Sequence, residues 1–291
     1  MFAAPFDYFR ASSIDEAHQL LQKHPGAKLL AGGHSLIPLL KMRLTAPSAL
    51  VDIGRIKELR GITSHDGTIR IGALTTHAEV ATSSELKASC PMLAEAAAQI
   101  GDPQVRNCGT VGGNVAHADP ASDLPTVFTA LDATFTAAGP KGARTIPAAR
   151  FFQGMMTTAL DERDILTAVE FAASRTGDGT AYEKFTHPAS RYAVVGAAAV
   201  VSVKGGVCTA ARVALGGLLP AATRLPAVEA ALAGANASTD TAAKAAQLAS
   251  QHLGGDVLED IYASAEYRRA MAIVYVRRAL TTAFERAARA A

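Results

Sequence analysis

Apolar positions along the chain switch between two periods, and the switching predicts a mixed α and β fold. Over 12–23, SSIDEAHQLLQK, residues Ala17, Leu20 and Leu21 fall on one helical face. Ser13 is the cap and Glu16, three residues on, its capping-box partner. Residues 27–31 are a short apolar run ending in Gly32-Gly33, the mark of a strand entering a turn. Residues 36–43 read as a short helix, with Pro38 tolerable in its first turn. Residues 50–53 and 68–71 read as strands, and His65-Asp66-Gly67 predicts a hairpin before the second. Helical spacing returns over 76–82 and 91–100, and again over 123–131. Residues 133–137 and 165–171 read as strands. From 101 to 120 the chain is polar and glycine-rich and reads as a long loop, a feature compact domains keep for function.

The small, polar stretch 174–180, SRTGDGT, is the predicted domain boundary, dividing the chain into 1–176 and 177–291. Beyond it, 194–203 and 207–215 are Val/Ala-rich runs joined by Lys204-Gly205-Gly206, a strand–turn–strand signal. From Ala227 the chain turns Ala-rich and helical. The last helix, 264–289, carries Ile273, Val276, Leu280, Ala283 and Ala287 on one stripe, and its arginines mostly on solvated faces. This Ala-rich region is expected to contribute to any apolar partner surface.

Composition narrows the function classes. A chain of 291 residues fits about two domains. Lys and Arg number 28 against 26 Asp and Glu, a net charge of +2, which argues against a nucleic-acid binder. Hydrophobic residues at 49% and charged residues at 19% exclude a disordered chain. The longest apolar stretch, 192–203, is far short of the roughly 20 residues of a transmembrane helix. Asp7 and Arg10 interrupt what would be the apolar part of a signal peptide, so a cytoplasmic protein is expected. The three cysteines, Cys90, Cys108 and Cys208, have no CxxC spacing. They are too few for an iron–sulfur cluster or a structural zinc site, and no metal ligand is assigned.

Candidate chemistry sits in two glycine turns. In Leu29-Leu30-Ala31-Gly32-Gly33-His34-Ser35-Leu36, a strand meets a helix start through adjacent glycines. Such a turn exposes backbone N–H groups and lets an anion approach them closely. Taken alone, an ordinary tight turn capped by Ser35 accounts for it equally. The second, Asn107-Cys108-Gly109-Thr110-Val111-Gly112-Gly113-Asn114, again offers backbone donors. Downstream, Asp119 and Asp123 stand before a helix, where a carboxylate caps the helix or accepts from a sugar hydroxyl. Together the two turns predict a bipartite cradle for one long ligand. Neither GxxxxGK[ST] nor GxGxxG occurs, so a dinucleotide would be held by backbone amides in a fold other than the Rossmann type.

AGGHSLIPLLKMRL (31–44), IGALTTHAEV (71–80), IGDPQVRNCGTVGGNVAHADPASDLP (100–125) and SAEYRRAMAIVYVRRAL (264–280) resemble the FAD-binding medium subunit of molybdenum hydroxylases. That family includes carbon monoxide dehydrogenase medium chains and the flavin domain of xanthine dehydrogenase. The resemblance implies an α+β fold of the vanillyl-alcohol-oxidase (PCMH) type, with two subdomains near 1–55 and 56–175 and FAD between them. A C-terminal domain of a small antiparallel sheet with helices would follow. It implies that Gly32, Gly33, His34, Ser35 and Leu36 form the first pyrophosphate loop, and Thr110, Val111, Gly112, Gly113 and Asn114 the second. Asp123 would contact the ribityl or ribose part, His77 would lie near the flavin, and Tyr192 would shield one face of the isoalloxazine. Residue by residue, ordinary readings stand beside these: Tyr192 as a strand-edge aromatic, His34 and His77 as loop histidines, Arg106 and Lys41 as solvated charges.

The function implied is a non-covalent FAD electron-transfer subunit with no catalytic acid–base residue of its own. It would take electrons from iron–sulfur clusters of a partner and pass them to an external acceptor. The molybdenum cofactor would sit in a large subunit and [2Fe–2S] clusters in a small one, in a dimer of heterotrimers. Two alternatives are a stand-alone flavin oxidase of the same fold and a structural subunit with a degenerate flavin site.

Overall fold

The computed structural model describes residues 2–251 and 253–290. The chain opens with β1 (Asp7–Arg10), α1 (Ile14–Lys23), β2 (Lys28–Leu30), α2 (Leu36–Lys41) and β3 (Ala49–Asp52). These strands form a parallel sheet in the order β1-β3-β2. Its core gathers Ala17 and Leu21 of α1 with Val51, Ile53 and Ile56. Ser13 caps α1 by accepting from the Glu16 N–H, but the Glu16 carboxylate turns to the backbone and hydroxyl of Ser12. The capping box is therefore displaced by one residue.

Next come β4 (Ile62–His65), β5 (Thr68–Gly72), α3 (His77–Thr82), α4 (Ser84–Ser89), α5 (Pro91–Gln99), α6 (Pro103–Cys108), α7 (Val111–His117) and α8 (Asp123–Ala130). They are followed by β6 (Thr134–Gly139), β7 (Gly142–Pro147), α9 (Ala148–Phe151), β8 (Phe152–Gly154), β9 (Thr157–Thr158) and β10 (Ile165–Ala172). Five of these strands make an antiparallel sheet ordered β4-β5-β10-β6-β7. The predicted loop over 101–120 is instead two short helices. Asp102 caps α6 through the Val105 N–H, Pro103 starts it, and Thr110 caps α7. Capping chemistry outweighed the low helix propensity of the glycines.

The last third holds β11 (Asp178–Thr186), β12 (Ala193–Lys204), β13 (Val207–Gly216), β14 (Thr223–Arg224), α10 (Pro226–Leu232), α11 (Thr239–Ala246) and α12 (Ala265–Arg289). Its antiparallel sheet runs β11-β12-β13-β14. One face, with Val195, Ala197, Ala199 and Val201, packs on α10 to α12. The other, with Ala198, Val200 and Tyr182, joins the core of the five-stranded sheet through α5 and α8. Both faces are covered, which is why β12 reads as an unbroken apolar run. Helix α8 is buried on every side between the two sheets.

The structure revises the reading of the C-terminal region. Ala272, Ala279, Ala283 and Ala287 of α12 and Ala242, Ala245 and Ala246 of α11 are buried against this sheet. The alanines therefore build the chain's own core, not a partner surface. Arg268 also departs from the solvated face: it is buried, and its guanidinium donates to the Val194 and Gly217 carbonyls at 2.8 Å each and to Asp260 at 2.6 Å.

Candidate cofactor-binding site

A cleft of about 650 Å³ runs between the parallel sheet and the five-stranded sheet, within the size range of ligand sites. Its centre is the turn between β2 and α2. Gly33 there has φ of 72°, a conformation glycine adopts without steric cost. A Cβ on Gly32 would collide with the carbonyl oxygen of Cys108 and lie 2.9 Å from the Gly109 Cα, so this position tolerates no side chain. The turn thus packs directly on the backbone ahead of α7.

The N–H groups of Gly32, Gly33, His34 and Ser35 find no acceptor among the described residues. The carbonyls of Gly33 and Ser35 are already used by Ile37 and Leu39. Four consecutive unused donors in a cleft-lining turn are the makings of a concave anion site. Ser35 makes no side-chain cap bond, so its hydroxyl does not close the helix start. His34 donates from Nδ1 to the Gly32 carbonyl at 2.9 Å and braces the turn.

The second glycine motif works differently from the expectation. Val111 N–H donates to the Thr75 carbonyl at 2.9 Å, Gly112 to Ala73 at 2.8 Å and Asn114 to Thr110 at 3.0 Å. Gly113 donates to the Thr110 hydroxyl at 3.1 Å. These amides are consumed in seating α7 and are not free donors for an anion. The reason for glycine is proximity: a Cβ on Gly112 would fall 2.5 Å from that of Ala73. Val111 is fully buried in the core and, in contrast to its neighbours in the motif, is not among the residues lining the cleft. Thr110, Gly112, Gly113 and Asn114 do line it, as do Leu36 and the residues of the first turn. Asn114 donates through Nδ2 to the Ser122 hydroxyl at 3.1 Å, while its Oδ1 is buried with no partner.

His77 is the first residue of α3, beneath a full capping box made by Thr76 and Glu79. Its ring is buried against Gly109, and Nδ1 has no partner. Burial, and secondarily the nearby His34, push its pKa down to about 4, so the ring is neutral at pH 7. Asp123 opens α8 and is buried at the cleft floor. Its Oδ1 accepts from the Tyr182 hydroxyl at 2.6 Å and its Oδ2 from Lys184 Nζ at 3.0 Å. Lys184 also donates to the Gln99 carbonyl at 3.2 Å. Burial pushes the Asp123 carboxyl up, and the Lys184 ammonium pulls it back; burial and the Asp123 charge raise Tyr182.

Tyr192 stands half-exposed at the mouth with Ser190 and Arg191, after a left-handed Arg191 at φ of 60°. Ala193 N–H donates to Ala121, tying this loop to the segment leading into Asp123. Burial, then the charges of Asp119 and Asp123, raise the Tyr192 hydroxyl.

Sequence reasoning missed several features of this cleft. Tyr182 and Lys184 sit on a strand assigned to the other half of the chain, and only alternate spacing on β11 hinted that they share a face. Leu29, Ile53, Leu160, Leu166, Asp161 and Glu162 also line the cleft and carried no motif. Arg106 is not a free surface charge: it donates to the carbonyls of Ile100 and Gly101 at 2.9 and 3.0 Å and fixes the turn before α6.

Comparison with known proteins gives a consistent picture. Residues 4–173 match the family model described as the FAD binding domain in molybdopterin dehydrogenase. Residues 180–283 match the CO dehydrogenase flavoprotein C-terminal domain. The carbon monoxide dehydrogenase medium chain of Hydrogenophaga pseudoflava is 41% identical over 99% of this chain and 100% of its own length. The 6-hydroxypseudooxynicotine dehydrogenase complex subunit alpha of Paenarthrobacter nicotinovorans is 39% identical over 97% of this chain and 95% of its own. A solved structure of the Hydrogenophaga carbon monoxide dehydrogenase, in a form lacking the Mo-pyranopterin moiety, superposes with a TM-score of 0.94. It covers 98% of this chain and 99% of that one.

Proposed function

The chain belongs to the family of FAD-binding medium subunits of molybdenum hydroxylases, with its PCMH-type α+β fold, and on that premise we propose that the cleft holds FAD. The observation that carries the assignment is the row of four unused N–H groups from Gly32 to Ser35, which fits a diphosphate. Bound there, FAD would supply the redox chemistry that links a partner's iron–sulfur clusters to an external acceptor, while this chain binds and orients it.

The residues divide the work of holding it. The amides of Gly32, Gly33, His34 and Ser35 donate to the diphosphate, with Leu36 behind them. Thr110, Gly112 and Gly113 shape the opposing wall. Asn114 Oδ1 and His77 Nδ1, both buried without partners, turn to the cofactor's polar atoms. Asp123 accepts from a ribityl or ribose hydroxyl, and Tyr192 covers a flavin face at the mouth. The apolar side chains of Leu29, Ile53 and Leu160 would hold the adenine, and Asp161 lines the same cleft. We take 1–176 as the FAD-binding half and 177–291 as its companion.

A [2Fe–2S] cluster needs four ligands, so three cysteines, two of them buried, are too few for one here; family membership supports clusters in a small subunit and molybdenum in a large one. We propose that the three subunits assemble as a dimer of heterotrimers. No helix among the described residues is long and apolar enough to cross a membrane. The free thiols suit a reducing compartment, and we place the complex in the cytoplasm.

The test is to purify the native assembly and measure its flavin, iron and molybdenum. Co-purification with both partner subunits, and FAD released intact by acid precipitation, is the expected result. A lone flavoprotein turning over a substrate by itself would overturn the proposal.

A further inference from the structure

We propose that Tyr182 is a positioning residue for the cofactor: its hydroxyl, seated in a notch left by Gly196, sets the direction in which Asp123 presents its carboxylate to the cleft. This rests on the reading that Asp123 accepts from a cofactor hydroxyl.

Tyr182 and Lys184 are two apart on β11, so their side chains leave the same face of the strand. Both reach the first residue of α8. Lys184 engages one carboxylate oxygen and Tyr182 the other, at 3.0 and 2.6 Å. Two donors on two oxygens stop the carboxylate from rotating. An ionised carboxylate offers about four acceptor sites, so both oxygens keep capacity toward the cleft. Lys184 supplies the compensating charge and Tyr182 supplies direction.

The tyrosine ring needs no hydroxyl for packing, since it lies in an apolar core with Ala198 and Val200. A buried phenol without a partner is costly, and Asp123 is its partner. Space for it comes from the adjacent strand. A Cβ on Gly196 would fall 2.5 Å from the Tyr182 hydroxyl oxygen and 3.2 Å from the ring carbons Cε2 and Cζ. The glycine in an otherwise Val/Ala run is thus accounted for by this hydroxyl.

The experiment uses the full chain, stripped of flavin and reconstituted with FAD, in five variants: Tyr182→Phe, Asp123→Asn, the two together, Gly196→Ala, and Gly196→Ala with Tyr182→Phe. Tyr182→Phe removes a buried hydrogen bond to the carboxylate and is expected to lower the melting temperature of the apoprotein by only a few degrees, leaving it folded. It is expected to raise the FAD dissociation constant on the order of tenfold, because the carboxylate, no longer held in direction, weakens the one hydrogen bond it accepts from the cofactor. The visible circular dichroism of the bound flavin changes with it. In the Asp123→Asn background the same substitution adds less than about twofold, because its effect passes through the carboxylate. Gly196→Ala weakens FAD in the same way, and less so when combined with Tyr182→Phe. Wild-type affinity and spectrum in Tyr182→Phe, with Asp123→Asn impaired, would overturn the inference alone. Equal losses in both backgrounds would do the same, showing that the ring acts by packing. Wild-type affinity in Asp123→Asn would instead remove the underlying reading of Asp123.

Discussion

His77 gives the clearest quantitative expectation. Its ring is buried, Nδ1 has no partner, and its pKa is pushed down to about 4 from an ordinary value of 6.5. In the unfolded chain the ring takes a proton as pH falls through about 6.5, while in the folded chain it stays neutral until about 4. The unfolded state therefore binds more protons in that window, and stability rises with pH across it. The contribution is fully present above pH 6.5 and is lost as pH falls to about 4. The depression corresponds to ~3 kcal/mol. His77→Phe keeps a buried ring and removes the titration. Urea unfolding of the apoprotein at several pH values between 7 and 4 measures this. Wild type is expected to lose about 3 kcal/mol more than the variant over that range. Parallel stability curves for the two proteins would refute the reasoning.

Gly32→Ala forces the first turn off the Cys108 backbone and is expected to abolish stoichiometric flavin content, measured by the visible spectrum, with a stability loss of roughly 1–3 kcal/mol. Lys184→Met leaves Asp123 buried without its cation and should cost roughly 3–5 kcal/mol in chemical denaturation at pH 7. Arg268→Lys cannot serve the Val194 and Gly217 carbonyls and Asp260 together, so a loss of roughly 2 kcal/mol in denaturant unfolding is expected, with no rescue by the retained charge.

What was legible in the sequence was what local chemistry governs. The Ser13 cap, the Gly32-Gly33 turn and the apolar strands β10 and β12 were each set by nearby residues. Residues of both glycine turns line one cleft, and close backbone approach is what leaves their composition signature. The fate of each amide was not legible. Whether Gly112 N–H faces a ligand or the Ala73 carbonyl depends on α7 docking against a segment far back in the chain. Helices α6 and α7 hid behind low propensity, and β7 to β9 are too short and exposed to show a period. The Asp123, Tyr182 and Lys184 cluster joins elements from the two halves, and no local pattern reports such a meeting.

Helix α8 lies walled between two sheets, with Phe128 and Val127 in the same core as Tyr182, Ala198 and Ala214. Severing the chain near 176 would leave that helix with one dry side turned to water. The halves are thus separable as segments of sequence but not as folding units. Calorimetry of the intact apoprotein is expected to give a single endotherm, and an expressed N-terminal half to be insoluble.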